Sequence, residues 1–155
     1  MNKLRVDTNK GDKEIEWKNN GKGVINRDAI TAFTWGHCHS FAYKMHDMTG
    51  WPIIGVGDDV NSPGHFLVYS PRIDDYVDIQ GPGALKRWEF LAEDGIHEFT
   101  PDQKPVHYRP MNKDMAKPFV VTVLDKVMRL PEKNTHNNDK FYKDPDAMVY
   151  EFDLT

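Results

Sequence analysis

The sequence predicts a single α+β domain in which one helix packs on an antiparallel β-sheet, and three stretches carry that expectation. Apolar residues at Cys38, Phe41, Ala42, Met45 and Met48 follow the i, i+3, i+4, i+7 spacing of a helix with one buried stripe. Residues 65–69 and 75–79 are β-type runs on either side of a Ser-Pro-Arg-Ile-Asp segment, which makes a hairpin. Residues 53–57 form a short apolar run of the kind that fills a buried strand. At 155 residues the chain is long enough for one domain with a core and short for two.

Taken in order, residues 1–22 are rich in Lys, Asp, Asn and Gly, with Leu4, Val6, Ile15 and Trp17 as the apolar points. They read as a polar, loosely held N-terminal arm with a short strand at 13–17. Asp28, Ala29 and Ile30 open a short helical turn before the main helix. That helix ends at Gly50, which accepts a left-handed cap, and Pro52, which cannot continue the ladder. Residues 58–64 are a loop by composition. A hairpin turn centred between Pro71 and Arg72 sets His65 directly opposite Asp78, with Cβ atoms ~4.5–5.5 Å apart. Gly81, Pro82 and Gly83 close the hairpin. Residues 84–92 then read as a helix with Leu85, Trp88 and Leu91 or Ala92 on one face. Pro101, Pro105 and Pro110 argue for extended segments and turns over 96–110. The apolar stretch 119–130 fits a strand at 119–124, a helix, or a strand that becomes one. Residues 131–146 are polar loop, and 147–152 suggest a final strand.

Composition excludes several classes. A formal charge of −4, from 20 basic and 24 acidic residues, gives no electrostatic case for nucleic acid. No apolar run approaches the ~18 residues that span a bilayer, and no hydrophobic leader opens the chain, so no membrane partner is expected. One cysteine cannot form an internal disulfide, which makes a reducing cytoplasm the default location. Export by a signal-less route stays open.

The chemistry-bearing residues come in a telling order: a cysteine at a helix start, a histidine opening a strand, an aspartate closing the next. In the first turn of a helix, unpaired N–H groups and the positive end of the dipole favour a thiolate over a thiol. An imidazole must reach the sulfur to share its proton. A carboxylate must then hold the other ring nitrogen so that the correct tautomer faces the thiol. The N–H of Cys38 and one neighbouring N–H would serve as the oxyanion hole.

The runs Gly36-His37-Cys38-His39-Ser40-Phe41-Ala42, Gly64-His65-Phe66-Leu67-Val68-Tyr69 and Tyr76-Val77-Asp78-Ile79-Gln80-Gly81 resemble the core of the transglutaminase-like and arylamine N-acetyltransferase-like enzymes. These form a branch of the papain-like cysteine superfamily. The resemblance spans roughly residues 35–82. It implies a papain-like core with an N-terminal catalytic helix on an antiparallel sheet, Cys38 as nucleophile, His65 as general base and Asp78 as orienting acid. It also implies an acyl-transfer activity on a peptide, protein or small acyl or amide substrate, carried by a single catalytic domain over 23–155 without a cofactor. Trp35, His37, His39 and Gln80 are the residues expected at the substrate. The chain departs from papain-type proteases in having no glutamine a few residues before the cysteine.

Blander readings compete for the same residues. A cysteine taken alone is more often a small buried hydrophobe than a nucleophile. His37 and His39 sit at a helix start, where solvent-facing side chains are the usual case. A non-catalytic binding module on the same fold is the main alternative. A zinc site built from His37, Cys38, His39, His46 and His65 is a second. Adjacent helical residues point about 100° apart, however, and His39 and His46 stand roughly 10 Å apart along the axis, so no metal is assigned. Substrate choice is expected to lie in the loops at 22–36, 57–64 and 80–84.

Overall fold

The computed structural model describes residues 1–133. The strand suggested for 147–152, and all of the polar stretch beyond residue 133, lie outside the described residues. Among the described residues the architecture is α+β: five helices and a five-stranded antiparallel sheet, with a separate two-stranded sheet at the N-terminus.

The chain opens with β1 (Asn2–Val6) and β2 (Lys13–Trp17), an antiparallel hairpin. The expected strand at 13–17 is present, but the segment around it is not a loose arm. Alternation along β2 turns Ile15 fully into the core, where it joins Val6, while Lys3 pairs with Glu14 and Glu16 on the outer face. The buried positions are spaced too sparsely among charges for hydropathy to flag them. Next comes α1 (Arg27–Ala32), started by the Asn26 side chain, which accepts from the Ala29 N–H.

The central helix α2 (Cys38–Thr49) buries Phe41, Ala42 and Met45 as its spacing requires. It stops at Gly50, where φ is 77° and the N–H returns to the His46 carbonyl at 2.7 Å. Strands β3 (Ile53–Val56), β4 (His65–Ser70), β5 (Asp75–Asp78), β6 (Gly81–Pro82) and β7 (Ile96–Phe99) form the main sheet in the order β6-β5-β4-β3-β7. Strand alternation splits the apolar side chains between two clusters. Phe66 and Val68 join the main core with α2, and Leu67 and Tyr69 join a smaller cluster. That cluster packs under α3 (Ala84–Arg87) and α4 (Glu89–Ala92), where Leu85, Trp88, Leu91 and Ala92 share one side as expected. The backbone breaks at Trp88, so the single helix expected over 84–92 is two short ones. Helix α5 (Lys113–Val127) settles the ambiguous 119–130 stretch as helix. Phe119, Val120, Val123 and Val127 form its buried stripe, and the Asn112 side chain caps its start.

The β4–β5 register differs from the expected one. Val68 faces Val77, Tyr69 faces Tyr76 and Ser70 faces Asp75, so the turn is centred between Arg72 and Ile73. The turn shifts because Ile73 buries its side chain in the main core, and Asp74 closes it in the left-handed region at φ 50°. Continuing that register sets Asp78 opposite Leu67. His65 is then its diagonal neighbour on the same face of the sheet, not its direct partner. No helix among the described residues is long and apolar enough to cross a membrane.

Candidate active site

The structure brings Cys38, His65 and Asp78 together. Cys38 is the first residue of α2, His65 the first of β4 and Asp78 the last of β5. His65 and Asp78 are sealed from solvent, and His65 Nε2 lies 3.0 Å from Asp78 Oδ2. With Nε2–H donating to the carboxylate, Nδ1 is the nitrogen left to exchange a proton with a nucleophile. Nδ1 makes no hydrogen bond among the described residues. Burial disfavours the imidazolium, but the hydrogen bond to Asp78, the interaction with Cys38 and the charges of both outweigh it. The ring's pKa is raised to about 9, so it holds its proton at neutral pH.

Asp78 is held by more than His65. Oδ2 also accepts from Trp88 Nε1 at 3.1 Å, and Oδ1 accepts from Arg87 Nη2 at 2.7 Å and the Gln80 N–H at 2.9 Å. Burial alone would push its carboxyl pKa up. The His65 hydrogen bond and the Arg87 charge reverse this, and the pKa falls to about 2. Arg87 is fixed in turn by the Pro82 and Gly81 carbonyls. The Trp88 ring stacks on the His65 ring, with centroids 4.0 Å apart. Arg87 and Trp88 were not assigned a role from sequence. Their signal, a break between two short helices folding back over β5, is visible only in three dimensions.

Cys38 is 3% exposed and lines a cleft of about 560 Å³. The N–H of Cys38 belongs to the first helical turn, where no carbonyl of the helix itself can be reached. Tyr108, from the loop after β7, lies against the sulfur. Its hydroxyl is 3.9 Å from Cys38 Sγ and donates to the Pro63 carbonyl, and its ring packs on Phe66 and His39. Burial and the neighbouring Cys38 push the Tyr108 hydroxyl pKa up. No pattern in the sequence marks Tyr108.

The other expected substrate residues divide. Trp35 lines the cleft and is 41% exposed. His37 and His39 are buried, contrary to the solvent-facing expectation. His37 Nε2 lies 2.9 Å from the Asp7 carbonyl and His39 Nε2 2.7 Å from the Arg109 carbonyl. Burial lowers both pKa values, that of His39 to about 4, so both rings are neutral donors that pin two segments to the start of α2. Gln80 contributes its backbone N–H to Asp78. Among the described residues, no three His, Cys, Asp or Glu side chains are grouped to hold a metal ion. The cleft draws on residues 34–36 and 63–64, which fall in two of the three loops named above, and also on Asn9 and on residues 107–109. The 80–84 loop contributes nothing to its lining.

Comparison with known proteins finds no matching family model, no matching curated protein and no matching solved structure. The functional reading therefore rests on the side chains themselves.

Proposed function

We propose that the protein is a cysteine-dependent acyl-transfer enzyme acting on amide or thioester carbonyls of a peptide, protein or small substrate. The observation that carries this reading is the buried His65–Asp78 contact at 3.0 Å behind a cysteine that lines a cleft. In the reactive form the thiol proton of Cys38 resides on His65, and the imidazolium stabilises the thiolate beside it. Cys38 Sγ bonds to the carbonyl carbon, and the first-turn N–H groups receive the charge that passes to the oxygen. The oxyanion collapses, the carbon–nitrogen or carbon–sulfur bond breaks, and His65 delivers its proton to the departing amine or thiol. His65 then takes a proton from water or an acceptor amine, which attacks the thioacyl carbon and releases Cys38. Asp78 stays ionised throughout and orients the ring. The helix–strand–strand order of the three residues supports a papain-like or transglutaminase-like core, and a single nucleophilic thiol suits a reducing cytoplasm.

The test is the rate of iodoacetamide alkylation of Cys38 near neutral pH in the wild type and in His65→Ala. Alkylation slower by roughly tenfold or more in the variant is the expected result. Equal, slow rates would overturn the triad. They would favour the second reading, a non-catalytic binding module, which the near-complete burial of Cys38 also suits.

A further inference from the structure

We propose that the cleft over Cys38 takes an acyl group bearing a carboxylate, and that Arg109 is the residue that recognises it. The inference rests on the reading of Cys38 as nucleophile and adds the class of substrate. The Arg109 guanidinium stands over Gly36, two residues before the nucleophile, so closely that a Cβ at Gly36 would lie 3.1 Å from Nη1. Both Gly36 and Arg109 line the cleft. Arg109 Nε donates to Asp7 Oδ2 and Nη1 to Asn9 Oδ1, each at 2.7 Å, which fixes the plane of the fork. Nη2 makes no hydrogen bond among the described residues, and a guanidinium with an open N–H on a fixed plane is suited to a carboxylate.

Among the described residues, no Asp or Glu lines the cleft. Lys10 Nζ stands 4.4 Å from the centroid of the ring of Trp35, itself a lining residue. The carboxylate that pairs with Arg109, Asp7, engages Nε only and is itself 68% exposed, outside the cleft lining. The open N–H of Arg109, on a wall it shares with Gly36 and Trp35 beside Cys38, suits a short acyl chain ending in a carboxylate.

Two probe pairs test this. Alkylation of Cys38 by iodoacetate is compared with iodoacetamide, and acyl transfer from a succinyl thioester with a butyryl thioester of the same thiol. The wild type is expected to favour the anionic member of each pair, and Arg109→Gln to lower that preference by roughly tenfold. Asp7→Asn keeps the guanidinium and removes its carboxylate competitor, so it should raise the preference; this guards against Arg109→Gln acting through misfolding. An unchanged ratio in Arg109→Gln, or a lowered one in Asp7→Asn, would overturn the assignment of Arg109. If iodoacetamide alkylation still depends on His65 in those proteins, the triad stands and only the substrate class falls. If that dependence is also absent, both fall.

Discussion

His65 Nε2 and Asp78 Oδ2 are 3.0 Å apart although the β4–β5 ladder does not pair the two residues. They are diagonal neighbours on one face, and the bond is made by side-chain reach, with the Trp88 ring stacked on the imidazole and four donors converging on the carboxylate. Such a carboxylate is oriented from several directions, so its position does not depend on one contact.

The pH dependence of stability follows from three buried groups. His65 is raised from 6.5 to about 9, so its contribution is full below 6.5 and is lost as pH rises through 9. Asp78 is lowered from 3.8 to about 2, so its contribution is full above 3.8 and is lost as pH falls through 2. His39 is lowered from 6.5 to about 4, so the unfolded chain binds its proton first and stability falls as pH drops from 6.5 to 4. These groups place the maximum near pH 6.5. Urea midpoints across pH should show it, with His65→Gln flattening the alkaline limb and His39→Gln the limb between 4 and 6.5.

Asp78→Ala leaves the buried imidazolium without its acceptor and should destabilise the fold by roughly 3–5 kcal/mol in urea unfolding. Asp78→Asn keeps the volume and should unfold at higher urea than Asp78→Ala, yet still slow Cys38 alkylation, because an amide does not hold the imidazolium.

Trp88→Phe keeps an aromatic ring against His65 but removes the indole N–H that reaches Asp78 Oδ2. A loss of about 1.5–3 kcal/mol is expected, as for hydrogen bonds to charged groups, measurable as a shift in the urea midpoint.

Tyr108→Phe removes the hydroxyl that meets Cys38 Sγ and the Pro63 carbonyl. Stability should fall by about 1 kcal/mol, while alkylation of Cys38 by iodoacetamide becomes faster as the sulfur loses its cover. Mass spectrometry of the modified protein follows the rate.

Ile15→Ala should lower stability by about 2–5 kcal/mol, since Ile15 is fully buried and ties the N-terminal hairpin to the main core. A thermal melt in which the variant matches the wild type would show that the hairpin is not part of the cooperative unit.

Much of this was legible in the sequence. The helix at Cys38 and its stop at Gly50 follow from spacing and cap chemistry, and the apolar runs of β3 and β4 from composition. Asp78 and His65 share a face because the shift in register was by a whole period of two, which keeps every side chain on its side of the sheet. The turn length was not legible, because it depends on Ile73 finding the core. Nor was α5, where Phe119 and Val120 beside Pro118 mimic a strand until the 3.6-residue stripe is seen against α2. Arg87, Trp88, Tyr108 and Arg109 act through contacts between distant segments, which no local pattern encodes.

The contact between His39 and the segment after β7 has a consequence for how the cleft can change. His39 Nε2 grips the carbonyl of residue 109, not its side chain. That backbone contact does not depend on which side chain occupies the position, so a change there alters the cleft wall, and the side-chain contacts to Asp7 and Asn9, while Cys38 and its helix remain in place. Position 109 is therefore the natural point at which drift or selection would change the lining of the cleft without moving Cys38.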